Sequence, residues 1–368
     1  MSGKPVDIKD ELRDTFAGLR EAVTPKNGGR VLVAGPCSAE SREQVMSAAV
    51  GVKEAGADVF RAGIWKPRTR PGCFEGCGAA GLEWLKEARC LTGMPVATEV
   101  ATPLHVEQAL ESGVDVMWIG ARTTVNPFAV QEIAEALKGC GDVAVMVKNP
   151  ANPDLELWIG AMQRLYNAGV RRISAVHRGF SEYGRSYYRN PPQWHIPIEL
   201  HRLMPRLQML CDPSHIGGKR ELVGPVARQA CALGFNGLII ESHCCPEKAL
   251  SDAAQQLTPS ELKELMISLV GKPVSDTSAD LMMLRSRIDM LDDELLEILV
   301  KRMAVSDEIG ELKHASNMPV LQPERYEALM ESRVDKGTAM GLDREFISGM
   351  LAAIHAESVR RQLAMRNR

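Results

Sequence analysis

The chain has 368 residues, 45% of them hydrophobic and 25% charged, with a net charge of −3. These values fit a globular protein with a large core, and the length fits two or three domains. They give no charge argument for nucleic acid or an acidic membrane surface, and no apolar run nears the roughly 18 residues of a membrane span.

The N-terminus, MSGKPVDIKDELRD, is too polar for a signal peptide. With nine cysteines, an odd number, the chain reads as cytoplasmic with reduced thiols. Residues 1–29 are expected to be an N-terminal extension with one short amphipathic helix, roughly 7–23, followed by the turn signal TPKNGG. From residue 30 short Val/Ile-rich runs alternate with helical stretches. The runs predict eight strands near 31–36, 57–63, 95–99, 114–120, 143–148, 171–177, 208–212 and 237–241. Strand and helix alternating eight times over residues 30–270 predict a (β/α)8 TIM barrel. A doubly wound open sheet is the alternative, and the lack of GxGxxG after the first strand weighs against it.

Residues 271–279 open GKPVSDTSAD, a polar stretch that reads as a linker. Residues 280–368 read as an all-α domain of three helices. In the first, roughly 279–315, Leu284, Ile288, Leu291, Leu295, Ile298, Arg302, Val305, Ile309 and Leu312 recur at spacings of four and three. At 1.5 Å per residue this helix is ~55 Å long. Two shorter helices cannot cover so long an apolar stripe, so a second copy is expected to, making the chain at least a dimer.

Sites in such barrels lie at the C-terminal strand ends. There stand Cys37, Lys66, Glu99, Arg122, Lys148, Arg178, His215 and Glu241, with Asp252 just beyond. Any one alone reads as a solvated loop charge; the set reads as an active site. Cys37, His215, Glu241 and Asp252 offer one thiol, one imidazole and two carboxylates, a set that suits Mn2+, Fe2+, Co2+ or Zn2+. Arg61, Lys66, Arg68, Arg122, Lys148 and Arg178 converge on one mouth and call for phosphates or carboxylates. Pairing with Glu99, Asp212 and other acids accounts for one or two of these cations. Cys73 and Cys77 (CFEGC) and the adjacent Cys244 and Cys245 lack the spacing of a structural zinc site, and Cys245 is placed to line the pocket.

In the helical part, Arg302 occupies a slot of the apolar stripe and needs an anion. Lys313 falls roughly 20° from it around the helix, and Arg285 roughly 100° away. Ser358 and Gln362 form an i,i+4 pair on the last helix, extending the line of Ile347, Leu351 and Ile354. Helix physics alone favours a regulatory or dimerising bundle.

Motifs add a resemblance. GPCS (35–38), FRAGIWKPRT (60–69), IGARTT (119–124), HRG (177–179), DPSH (212–215) and ESH followed by ALSD (249–252) resemble 3-deoxy-D-arabino-heptulosonate 7-phosphate (DAHP) synthases of the type I-beta branch. The resemblance implies metal-dependent condensation of phosphoenolpyruvate with erythrose 4-phosphate. It implies Cys37, His215, Glu241 and Asp252 as metal ligands. Lys66, Arg122, Lys148, Arg178 and Arg61 would hold phosphoenolpyruvate, and Arg68 and Thr69 would face erythrose 4-phosphate. KPRT argues against a related aldolase acting on another sugar. Where the family often has Lys-Arg-Gly after strand five, this chain has Lys148-Asn149-Pro150.

LRSRIDMLDDELLEILVKR, DEIGELK, PERYE and ESVRRQ resemble the all-helical chorismate mutases. That implies rearrangement of chorismate to prephenate without a cofactor. Arg285 from a partner copy, Arg302 and Arg325 would grip carboxylates, Ser358 would hold one, and Lys313 and Gln362 would donate to the ether oxygen. Two positions depart: Tyr326 stands where an acid is often found, and Gln322 replaces an Asp. Weaker hydroxyl recognition and modest mutase activity are expected. The alternative is a synthase whose helical domain mainly senses a ligand, and prephenate is the expected feedback ligand.

Overall fold

The computed structural model describes residues 18–19, 25, 29–66, 72, 74–140, 142–184, 186–269 and 278–366. The expected N-terminal helix, apart from residues 18–19, and the linker up to residue 277 lie outside the described residues; the last two residues expected in the linker, Ser278 and Ala279, are helical. The chain divides into two compact units, Met1–Lys272 and Pro273–Arg368.

In the first unit eight parallel strands close into a barrel in sequence order, as expected. The strands are β1 Val31–Gly35, β2 Val59–Arg61, β3 Val96–Val100, β4 Val116–Ile119, β5 Ala144–Lys148, β6 Arg172–His177, β7 Gln208–Cys211 and β8 Gly237–Glu241. β8 pairs with β1 from Val31↔Gly237 to Gly35↔Glu241, which seals the ring. The strands read as near-continuous apolar runs because helices cover their outer faces.

Those helices are α1 Arg42–Glu54, α2 Ala80–Thr92, α3 Pro103–Glu111, the short α4 Ala121–Thr124, α5 Pro127–Ala136, α6 Leu155–Asn167, α7 His195–Leu203, the short α8 Pro213–Gly217, α9 Arg220–Ala232 and α10 Pro259–Leu269. Local chemistry starts several of them. Ser41, Thr102, Asn126 and Asp154 each accept a backbone N–H in the first turn that follows, satisfying donors that a helix start leaves unpaired.

The second unit holds three helices, α11 Ser278–Ala315, α12 Pro323–Ala339 and α13 Arg344–Arg366. Its buried apolar side chains, among the described residues, are Met303, Val334 and Ile347. Arg361 Nε donates to Asp307 Oδ1 at 3.0 Å, joining α13 to α11. Much of the apolar stripe is uncovered: Leu284, Ile288, Leu291, Leu295 and Ile298 are 47–62% exposed. No helix, among the described residues, is long and apolar enough to cross a membrane.

Candidate active sites

Strand periodicity builds the barrel mouth. Val59, Ala97, Met146, Val176, Leu210 and Ile239 share one inner cluster on the barrel axis. Side chains two apart on a strand share a face. Two residues on from these six stand Arg61, Glu99, Lys148, Arg178, Asp212 and Glu241. The same alternation that fills the core therefore lifts six ionisable groups to the C-terminal end. Two residues on from Trp118 is Gly120, where a Cβ would lie 2.1 Å from Glu99 Oε1. Only glycine leaves that carboxylate its place.

The donor atoms of Cys37, Glu241 and Asp252 lie within 4.8 Å of one another. His215 adjoins them, its Nε2 3.8 Å from Glu241 Oε1. The Cys37 thiol donates to Asp252 Oδ2 at 3.3 Å and accepts from Lys66 Nζ at 3.2 Å. Burial pushes this thiol up to about 12; Glu241 and Asp252 add to the shift while Lys66 and Arg61 oppose it. Burial also resists ionisation of the two carboxylates. His215 and Arg61 nevertheless hold Glu241 below the usual range, and Arg189 and His215 hold Asp252 below it. Two ionised carboxylates crowded in a buried spot repel one another unless positive charge sits beside them, and Lys66, Arg61 and Arg189 supply part of it. The donor set, one soft sulfur with hard oxygens and an imidazole, fits a borderline divalent ion.

Asp212 organises the neighbouring groups. Its Oδ1 accepts the backbone N–H of His215 at 3.0 Å, starting α8. Its Oδ2 lies 2.8 Å from both Lys148 Nζ and His215 Nδ1. Burial works against its charge, yet His215 and Lys148 hold it well below the usual carboxylate range. His215 is therefore oriented by Asp212, as metal-binding imidazoles commonly are by a carboxylate.

A cavity of about 300 Å³ opens on this mouth, lined by Lys66, Glu99, Arg122, Lys148, Arg178 and Arg189 among others, with His215 and Asp252 on its wall. Arg68 and Thr69 lie outside the described residues. Cys245 is not among the residues that line this cavity. Arg61 was expected among the substrate-binding cations, but it does not line the cavity. It is 1% exposed, donates to the Cys37 carbonyl at 2.9 Å, and lies 3.3 Å from Glu241. Its guanidinium also lies over the Trp118 ring, 4.6 Å from the centroid. Inward alternation at a three-residue strand places it below the mouth, against Cys37 and Glu241.

Several neutral or overlooked residues complete the mouth. Gln255 donates to Glu241 Oε2 at 2.6 Å and accepts from Arg189 at 2.7 Å. Arg189 also lies 3.1 Å from Asp252 Oδ1. Gln256 accepts the Cys37 N–H. Asn190 accepts from Arg178 and donates to the His215 carbonyl, both at 2.7 Å. Asn149, the departure after β5, accepts the Arg178 backbone N–H and donates to the Gly179 carbonyl, tying β5 to β6. No charge or spacing marked these amides in the sequence.

The helical unit has a cavity of about 460 Å³. Arg302, Lys313, Arg325, Ser358 and Gln362 all line it, as do Gln322 and Tyr326. Arg285 does not; it is exposed on α11. Arg302 Nη1 donates to Ser358 Oγ at 2.9 Å, Lys313 Nζ to the Val320 carbonyl at 2.6 Å, and Gln362 Nε2 to the Ser306 carbonyl at 3.0 Å. Gly310 permits the close approach of α13, since a Cβ there would lie 2.9 Å from Gln362 Cγ. His355 also lines this cavity and was not foreseen.

Comparison with known proteins gives consistent results. Residues 14–273 match the DAHP synthetase I family, and residues 284–363 match chorismate mutase type II. The phospho-2-dehydro-3-deoxyheptonate aldolase of Thermotoga maritima is 37% identical over 262 residues, covering 71% of this chain and 73% of that protein. A 2-dehydro-3-deoxyphosphooctonate aldolase of Dechloromonas aromatica is 28% identical over 264 residues, covering 65% and 90%. The crystal structure of the Thermotoga maritima aldolase superposes with a TM-score of 0.60 at 33% identity, covering 70% of this chain and 76% of that one.

Proposed function

Because the chain belongs to the DAHP synthetase I family and carries a chorismate mutase type II domain, we propose that its synthase is metal-dependent, with Cys37, His215, Glu241 and Asp252 as ligands. The observation that supports this most is the cluster of three donor side chains within 4.8 Å beside a cation-lined cavity. A bound divalent ion supplies Lewis-acid polarisation of the aldehyde oxygen of erythrose 4-phosphate. Lys66, Arg122, Lys148 and Arg178 hold the phosphate and carboxylate of phosphoenolpyruvate; Arg68 and Thr69 face the sugar phosphate. Fixed cations orient two anions that otherwise repel. C3 of phosphoenolpyruvate then attacks the aldehyde carbon, water adds at C2, and phosphate leaves the resulting hemiketal phosphate. Glu99, on the cavity wall, is our assignment for the group that handles the water proton. Arg61 supports Cys37 and Glu241 rather than touching substrate.

Arg189 gives a direct test of this reading. Asp252 has a left-handed backbone, with φ at 49°, a conformation that needs holding. Arg189 grips its carboxylate. Arg189→Ala is expected to weaken metal affinity about 10- to 100-fold, measured by competition with a chromophoric chelator. Unchanged affinity would remove Asp252 and its clamp from the proposed site.

In residues 280–368 we assign chorismate binding to the 460 Å³ cavity. Arg302 and Arg325, with Ser358, hold the carboxylates, and Lys313 and Gln362 stabilise negative charge on the ether oxygen as its C–O bond breaks. The convergence of these five on one cavity favours a working mutase over a pure sensor. Arg285 serves the site of a partner copy, in a dimer that covers the exposed α11 stripe. We assign residues 30–270 to the synthase domain and 271–279 to the linker, whose last two residues already belong to α11.

We further propose that prephenate in the mutase cavity inhibits the synthase. Coupling energies between such sites typically give roughly 5- to 150-fold effects. Prephenate is expected to lower the rate of DAHP formation and change the solution scattering profile. An unchanged rate with an unchanged profile would reject the coupling.

A further inference from the structure

The mutase cavity is cationic, and its acceptors are neutral hydroxyls, amides and one imidazole. Arg302, Lys313 and Arg325 bring positive charge, and among the described residues no Asp or Glu lines it. Guanidinium and ammonium groups donate only. That suits the two carboxylates and the ether oxygen of chorismate, which accept. Chorismate also carries one ring hydroxyl, whose O–H must find an acceptor when water is excluded.

The acceptors already committed are plain. Ser358 Oγ receives Arg302 and donates to the Ile354 carbonyl. Ser306 Oγ and its carbonyl receive Gln362. His355 differs. Its Nε2 is buried and has no partner among the described residues. Its ring lies 4.3 Å from the Tyr326 ring, tilted by 35°, and both residues line the cavity. Burial, with Arg302 and Lys313 adding, lowers its pKa, so the imidazole stays neutral and one ring nitrogen keeps its lone pair.

We propose that His355, braced by Tyr326, is a specificity-determining residue that accepts the hydrogen bond of the substrate's ring hydroxyl. Among the described residues no acidic side chain lines this cavity, and an unpaired imidazole nitrogen takes the place of one. The inference rests on the assignment of this cavity as the chorismate site.

The test compares chorismate with its analogue bearing hydrogen in place of the ring hydroxyl, using the full chain. The wild type is expected to prefer chorismate in kcat/KM by about 10- to 100-fold, the effect of leaving a buried polar group unpaired. His355→Leu should remove that preference, lowering kcat/KM for chorismate while leaving the analogue within about threefold. His355→Gln, which restores an acceptor, should recover part of the preference. Tyr326→Phe, which keeps the ring, should retain it. Circular dichroism of the helical bands and DAHP formation report folding of each variant.

Equal losses on both substrates in His355→Leu, or no preference in the wild type, would overturn the proposal. So would a preference lost in Tyr326→Phe and kept in His355→Leu. Arg302→Ala separates this from the underlying assignment. If that variant turns over chorismate normally, the cavity itself is misassigned. If it is inactive while His355→Leu keeps the preference, only the hydroxyl assignment fails.

Discussion

Chelation of the purified enzyme is expected to lower DAHP formation at least about 10³-fold while chorismate turnover in the same sample stays within about twofold. Lewis-acid stabilisation is worth several kcal/mol, and each ~1.4 kcal/mol is a decade in rate. The second half of the prediction follows from chemistry, since a pericyclic rearrangement at the proposed mutase site has no use for a metal. Adding back Mn2+, Fe2+, Co2+ or Zn2+ singly should restore the synthase to different extents. Cys37→Ala supplies a readout independent of turnover. The Co2+-loaded wild type should show a near-ultraviolet thiolate-to-cobalt charge-transfer band, and Cys37→Ala should lack it. A chelated enzyme at full rate, or an unaltered band in Cys37→Ala, would defeat the proposed site.

The barrel was legible because its two signals coincide. Val/Ile runs set the strands, and alternation on those strands carried Glu99, Lys148, Arg178 and Glu241 to one end. Charge at the end of an apolar run is visible in a sequence. Neutral side chains are not. Asn149, Asn190 and Gln255 hold charged neighbours in place and Gln256 holds the Cys37 backbone, yet an amide in a loop has no distinguishing pattern. Gln256 meets Cys37 across 219 positions of sequence, a separation no local spacing rule spans. Arg189 was hidden in the loop between β6 and α7, where an arginine reads as solvated. Arg61 shows the opposite error. Its charge marked it for the cavity, but the alternation that places it inside the barrel also buries it beneath Cys37 and Glu241.

The helical unit was legible in outline for a different reason. Heptad spacing fixes which residues share a face, so Arg302 and Lys313 were expected together, and they line one cavity. Spacing within one helix says nothing about what the next helix brings. His355 reads as an ordinary surface histidine on α13 until Tyr326 of α12 is packed against it.

Arg302→Ala is expected to lower kcat/KM for chorismate by roughly 30- to 5,000-fold and to leave DAHP formation within about twofold. Arg302 is half-buried on α11, where it donates to the Ser358 hydroxyl and, among the described residues, has no acidic partner. A neutral hydroxyl does not balance a guanidinium, so the cavity holds a charge waiting for an anion. Removing one side of a desolvated charge pair costs about 2–5 kcal/mol. Arg302→Lys keeps the charge but not the planar fork that grips a carboxylate, so roughly 10- to 100-fold should still be lost. Gln362→Ala divides the effect differently. In the proposed role the Gln362 amide leaves Ser306 to donate to the breaking C–O bond, acting on charge that exists only in the transition state, so kcat should fall about 10²-fold with KM little changed. Equal falls in kcat and rises in KM for both variants would make Gln362 a binding group. Normal turnover by Arg302→Ala would mean that the helical domain performs its chemistry elsewhere.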